Sequence, residues 1–126
     1  ELELSNSATI VALITNDSAK KMGLKKGYHA IALVKSSLII ISKEKELATS
    51  ARNKLEGKIS KITKGNINSE VSLDLGNQKT LTCIITNKSV KELALKKNAT
   101  HLLTREAALP LTHSVFADTV FTIVPE

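Results

Sequence analysis

Residues 14–27, ITNDSAKKMGLKKG, align without a gap on residues 85–98, ITNKSVKELALKKN, at an offset of 71 positions. Eight of the fourteen pairs are identical, and the match extends back to the start of the chain, where ELELSN (1–6) faces SLDLGN (72–77). Similarity of this length marks one structural unit used twice. At 126 residues the chain is either one compact domain with internal symmetry or two very small units that must share a core.

Between and within the copies the pattern is strand-like. TIVALIT (9–15), YHAIALV (28–34), SLIIIS (37–42), GKISKIT (57–63), EVSLDL (70–75) and KTLTCIIT (79–86) are short and rich in β-branched residues, and several alternate at period two. Each copy also carries one short helical stretch. Asn16 or Asp17 is placed to cap the first, and Gly23 suits the left-handed position that closes it. The second runs through SVKEL (89–93) and ends before Lys97-Asn98. Apolar residues make up 42% of the chain but aromatic ones only 2%, so the core must be built from Ile, Leu, Val and Ala. The expected fold is all-β: two small antiparallel barrels or sandwiches in tandem, each with one helix.

The copies are unequal. SARNKLEGKISKITKGNINSEV (50–71) leads into the second and has no counterpart before the first. The first unit, residues 1–43, therefore lacks its N-terminal strand and has an open edge, which invites pairing with another strand. Residues 44–49 form a polar linker without Gly or Pro, and the second unit spans 50–126. Aligning SLIII with TVFTI moves the offset from 71 to 81, which leaves about ten extra residues near His101–Pro110. These read as a surface excursion in which Thr104 caps a single turn.

Eighteen basic residues against twelve acidic ones give a formal charge of +6, which calls for an anionic partner. Nucleic acid is one candidate, but single-strand binders stack bases on aromatic side chains, and only Tyr28, Phe116 and Phe121 are present. A small anion is the other. Catalytic patterns are missing: His29, His101 and His113 show no metal-ligand spacing with each other or with Cys83. GxSxG, a phosphate-cradling glycine loop and HExxH do not occur either. Glu1, Glu3 and Asp74 read as polar strand faces rather than as a paired acid and base. The chain reads as a non-enzyme. With one cysteine there is no internal disulfide, which favours a reduced, cytoplasmic setting. No apolar run approaches the ~20 residues of a membrane span. No secretory signal is visible, and the chain opens on Glu1 without a Met, as expected if an upstream segment has been cut away.

Hydroxyls and backbone donors carry more chemistry. Thr15 and Ser18 flank the start of the first helical stretch, and Thr86 and Ser89 recur at the equivalent point. There they either cap the helix or join its free N–H groups in a cradle for an oxyanion. Ser50-Ala51-Arg52-Asn53 sets a hydroxyl, a guanidinium and an amide close together. Lys35-Ser36-Ser37 adds an ammonium and two hydroxyls.

SARN at 50–53, Gly57, KGNINSEV (64–71), ITNKSVKELALKKN (85–98) and the terminal Ala117–Val120 strand resemble the Mop or TOBE family of molybdate-binding domains. The first copy resembles the same unit entered late, followed by VKSSLIII (34–41). The resemblance implies an OB-like small barrel per unit, with no covalent cofactor and with molybdate or tungstate bound as an oxyanion where units or subunits meet. By position it assigns Ser50, Ala51, Arg52 and Asn53, Thr15 and Ser18, Thr86 and Ser89, and Lys35 and Ser36 to the ligand. Arg52 suits a tetrahedral dianion because its fork donates two parallel hydrogen bonds. Two tandem units resemble the di-Mop module of molybdate-responsive transcription regulators, which implies a homodimer or higher homo-oligomer that meets DNA only through a separate domain. Intracellular storage molbindins share that arrangement. In the second copy, Phe116-Ala117-Asp118 stands where the family has Lys-Ala-Ser, and its Ala-Asp pair resembles the regulator subfamily. A basic OB-like nucleic-acid module is the reading from a different class.

Overall fold

The computed structural model describes residues 1–4, 9–44, 48, 50–105 and 122–125. Alternation at period two builds its centre. Strands β5 (Asn53–Lys64), β6 (Asn68–Gly76) and β7 (Lys79–Thr86) form an antiparallel meander. Their inward residues Ile59, Val71, Leu73 and Cys83 are wholly buried. The β6–β7 hairpin closes on Asn77 and Gln78, both at positive φ (48° and 61°), the primed turn whose twist suits two-residue loops. The meander ends in helix α2 (Asn87–Glu92) and then strand β8 (Thr100–Arg105).

The first copy repeats this at smaller scale, with β1 (Leu2–Glu3), β2 (Thr9–Ile10) and α1 (Asn16–Lys21). The register is conserved as well as the sequence. Leu2↔Ile10 and Glu3↔Thr9 in β1–β2 become Leu73↔Leu81 and Asp74↔Thr80 in β6–β7, each residue displaced by 71. The expected strand over 9–15 nevertheless stops at Ile10. Beyond it the main chain of Val11 is held by a side chain, that of Asn53, instead of by a neighbouring strand.

The two copies do not close separately. Strand β3 (Ala30–Leu33) pairs with β9 (Thr122–Pro125) near the far end of the chain. After a 3-10 turn at Ser36–Leu38, β4 (Ile40–Ser42) pairs with β8. The main sheet runs β4-β8-β5-β6-β7, so the last strand of the first copy lies in the sheet of the second. The architecture is thus mostly strands with two short helices, as expected, but tandem closed barrels are not what the described strands form. One core cluster reflects the exchange, since Ile39 and Ile41 of the first copy pack with Ile59, Leu73 and Leu95 of the second.

His101–Arg105 corrects the reading of a surface excursion. These residues are strand β8, paired on one side with β5 (Gly57↔His101) and on the other with β4 (Ile40↔Thr104), so Thr104 starts no helical turn. The sequence THLLTR supplies the short strand pattern, which the assumed alignment gap concealed. The remainder of that stretch, and Phe116, Ala117 and Asp118, fall outside the described residues, as does most of the linker.

β5 serves two neighbours with one strand. Its first half, Asn53–Lys58, pairs with β8, and its second half, Lys58–Lys64, pairs with β6 through a bulge between Ile59 and Lys61. At the changeover sits Gly57, where an added Cβ would lie 2.9 Å from Leu75 Cδ2, 3.2 Å from Asp74 O and 3.3 Å from Leu73 Cβ. Only a glycine lets β5 approach β6 this closely.

The copies differ in backbone ease where their helices end. Gly23 and Gly27 take φ of +63° and +86°, whereas their counterparts Ala94 and Asn98 take 48° and 69° with side chains attached. Asn tolerates this region and Ala does not. Ala94→Gly should therefore raise stability by about 0.5–1 kcal/mol, read as a higher urea midpoint at unchanged slope.

Candidate functional site

The strand-to-helix turns are superimposable in their bonding. Thr15 Oγ1 accepts from the Ser18 N–H at 3.1 Å and donates to Ser18 Oγ at 2.9 Å. Thr86 Oγ1 accepts from the Ser89 N–H at 3.0 Å, with the two hydroxyls 2.9 Å apart. Threonine, not Asn16 or Asp17, is the N-cap in both, because its extended backbone (ψ 152° and 151°) turns the short side chain onto the N–H three residues ahead. Capping and ligand-holding turn out to be compatible. When Thr15 hands its hydroxyl proton to Ser18 Oγ, the Ser18 hydroxyl keeps its own proton, which bonds no other described group. Each turn can thus present one outward O–H from a rigid frame.

Asn87 makes that frame rigid, and the sequence reading passed it over. Its Oδ1 accepts from the buried Ser69 hydroxyl at 2.6 Å, its Nδ2 donates to Gly65 O at 2.9 Å, and its main-chain N–H donates to Ile67 O at 2.8 Å. The start of α2 is stapled to the β5–β6 hairpin. The signal was available, since Asn87 is one of the repeat's identities, with Asn16.

The other assigned residues distribute crosswise. Asn53, only 3% exposed, donates from Nδ2 to Val11 O at 2.9 Å and accepts the Val11 N–H at 2.8 Å. The SARN segment of the second copy therefore lies against the first copy's chain four residues before Thr15. Conversely the 3-10 turn of the first copy, which carries Ser36 and follows Lys35, packs on β7, the strand that ends at Thr86. Within SARN, Ala51 is buried and Ser50 and Arg52 are exposed, so Arg52 faces water while its neighbours anchor it. Lys35 is exposed and Ser36 half-buried. The structure thus ties SARN to the first copy's chain at Val11, through the Asn53 side chain, and packs the turn that carries Ser36 on the second unit's strand.

Lys21–Asp17 (2.8 Å) and Lys88–Glu92 (3.6 Å) are exposed helix pairs of the weak kind. A cavity of about 280 Å³ lies between the copies, walled mainly by apolar side chains, Leu4 with Leu75 and Ile10 with Leu81 among them, and reached also by Asn53, Lys79 and Thr80. Cys83 is buried in the core and its thiol is pushed up to about 11 by desolvation, which keeps it protonated and unreactive near neutrality. No group of three or more His, Cys, Asp or Glu that could hold a metal ion occurs among the described residues. No helix among them is long and apolar enough to cross a membrane.

Residues 49–103 match the TOBE domain family. Molybdenum-pterin-binding protein 1 of Clostridium pasteurianum is 42% identical over 53 residues, which cover 42% of this chain and 78% of that protein. The chain belongs to the Mop/TOBE family. Molybdenum-pterin-binding protein MopA of Rhodobacter capsulatus is 38% identical over 96 residues, 75% of this chain but 36% of MopA, so the chain spans about a third of that relative's length. The crystal structure of the cytoplasmic molybdate-binding protein ModG, in a form with molybdate bound, superposes with a TM-score of 0.81 at 27% identity, covering 96% of this chain and 79% of that one. Likeness to ModG over nearly the whole chain makes the interleaved two-copy arrangement a Mop/TOBE architecture, not a peculiarity of one sequence.

Proposed function

We propose that this chain binds molybdate, and tungstate of the same charge and shape, and is the ligand-sensing di-Mop module of a molybdate-dependent transcription regulator. The observation that carries the reading is the crosswise pairing of the copies, Asn53 of SARN bonded to Val11 of the first copy and the turn that carries Ser36 packed on the second unit's β7. The relatives' names, which specify molybdenum or molybdate binding, support the choice of ligand. In this reading Arg52 supplies a two-pronged guanidinium, Lys35 a point charge, and Ser18, Ser36, Ser50 and Ser89 hydroxyl donors, with Thr15 and Thr86 orienting the two turn serines. Ala51 is the buried anchor of the SARN segment and Asn53 holds it against Val11. The ligand then stabilises the arrangement that gathers donors from both copies, which shifts the population toward it.

The units are residues 1–43 and 50–126, the assembly is a homodimer or higher homo-oligomer in the cytoplasm, and DNA is met through a separate domain. The Ala117-Asp118 pair supports a regulator. Likeness to ModG along 96% of the chain supports the second reading, a cytoplasmic molybdate store, which would take up more ligand per chain. Arg52→Ala should weaken molybdate binding by ~1.5–3 kcal/mol, the worth of a charge-assisted contact, without lowering the melting temperature, because the side chain is exposed. Competition of molybdate against the mutant by calorimetry checks it, and an unchanged affinity removes Arg52 from the site.

A further inference from the structure

Oxyanion binding makes no use of the cavity of about 280 Å³ between the copies. Leu4 and Ile10 of the first copy wall it with their counterparts Leu75 and Leu81 of the second, and Ile39 and Leu55 join them. Asn53 reaches the wall too, but its Oδ1 and Nδ2 are each bonded to the Val11 main chain. Water gains few hydrogen bonds against such a wall, whereas an aliphatic chain gains by leaving solvent. No aromatic side chain lines the cavity among the described residues, so a flat ring finds no stacking partner there. Polarity enters at the start of β7. Lys79 and Thr80 line the cavity, are exposed, and their side chains have no hydrogen-bond or ion-pair partner among the described residues. The repeat does not duplicate this charge, since the position equivalent to Lys79 is Ala8.

We propose that this cavity binds one medium-chain aliphatic carboxylate, its chain laid between the paired leucines and its head on Lys79 and Thr80. The length follows from the volume. A cavity of about 150 Å³ holds benzene, so this one holds roughly ten heavy atoms, the size of octanoate. The charge follows from Lys79, which meets a carboxylate as a point charge while the Thr80 hydroxyl donates a hydrogen bond. The apolar walls are alike in the two copies, and the lysine is not, so the head has one direction in which to lie. An occupant touches both copies at once and favours the arrangement that holds them together.

The test is to titrate octanoate into the full chain while the leucine and isoleucine methyl groups are followed by NMR. The signals of Leu4, Ile10, Leu75 and Leu81 should move together and saturate, with a midpoint near or below about 1 mM, the strength that roughly ten atoms supply. Those of Ile67 and Ile84, which are exposed and do not line the cavity, should stay in place. Butyrate, four methylenes shorter, should need about tenfold more or beyond. Lys79→Glu should weaken octanoate by roughly threefold or more and strengthen octylammonium, the cation of equal chain length. Cavity methyl signals that do not shift and saturate would overturn the site, and so would octanoate captured at Arg52 with those methyls unmoved. Equal affinity of octanoate for the parent and Lys79→Glu chains would overturn the role of the lysine in reading the head. No molybdate is present, so the outcome is separate from that of oxyanion binding.

Discussion

Gly57→Val should destabilise the fold by about 3 kcal/mol, a large part of the ~5–15 kcal/mol that holds a domain together. The cause is contact, not conformation. A Cβ at this position already stands 2.9 Å from Leu75 Cδ2 and 3.2 Å from the Asp74 carbonyl, and valine adds two methyl groups to it. Leu75 can swing away, but the Asp74 main chain is fixed in the β6 ladder and Leu73 is wholly buried beside it. β5 would have to withdraw from β6 where it changes partners, taking Ile59 with it. Urea denaturation should show a lower midpoint at similar slope. Gly57→Ala, with the Cβ alone, should fall between the two. A valine variant as stable as the parent would mean that β5 and β6 are not in close contact at this point.

Asn53→Leu should cost about 2–3 kcal/mol, although the side-chain volume hardly changes. The carboxamide satisfies both the N–H and the C=O of Val11, at 2.8 and 2.9 Å, and leucine leaves both groups without their partner. Val11 is half-buried, so water recovers part of the loss. Because this bond pair ties the SARN segment to the first copy, the variant should also bind molybdate more weakly than its stability loss alone explains. Arg52→Ala is the complementary case, weakening binding at unchanged stability. If Asn53→Leu melts like the parent chain, the amide is not the clasp between the copies.

These two positions show what could be read from the residues and what could not. The repeat was legible, and with it the two helices, the strands around 57–63, 70–75 and 79–86, and the left-handed Gly23. All of these follow from local pattern. The exchange of β3 and β4 into pairs with β9 and β8 was not legible, because register between distant strands is set by tertiary packing and leaves no spacing in the sequence. The same blindness turned His101–Arg105 into an excursion when the alignment gap was placed too early. Asn53 could be singled out as special, yet the sequence could not show that its amide acts in place of a neighbouring strand for Val11. Thr15 and Thr86 were named for the site, and the structure adds that each caps its helix while bonding the hydroxyl of the serine three residues on.

The most direct measurement is a calorimetric titration of the folded chain with molybdate, against sulfate as the dianion of similar geometry. Saturable heat with molybdate and none with sulfate at the same concentrations is the predicted result. The ligand-to-chain ratio then separates a sensor with few sites from a store with more. A folded chain that gives no heat with molybdate, or that takes sulfate equally well, would contradict the oxyanion reading.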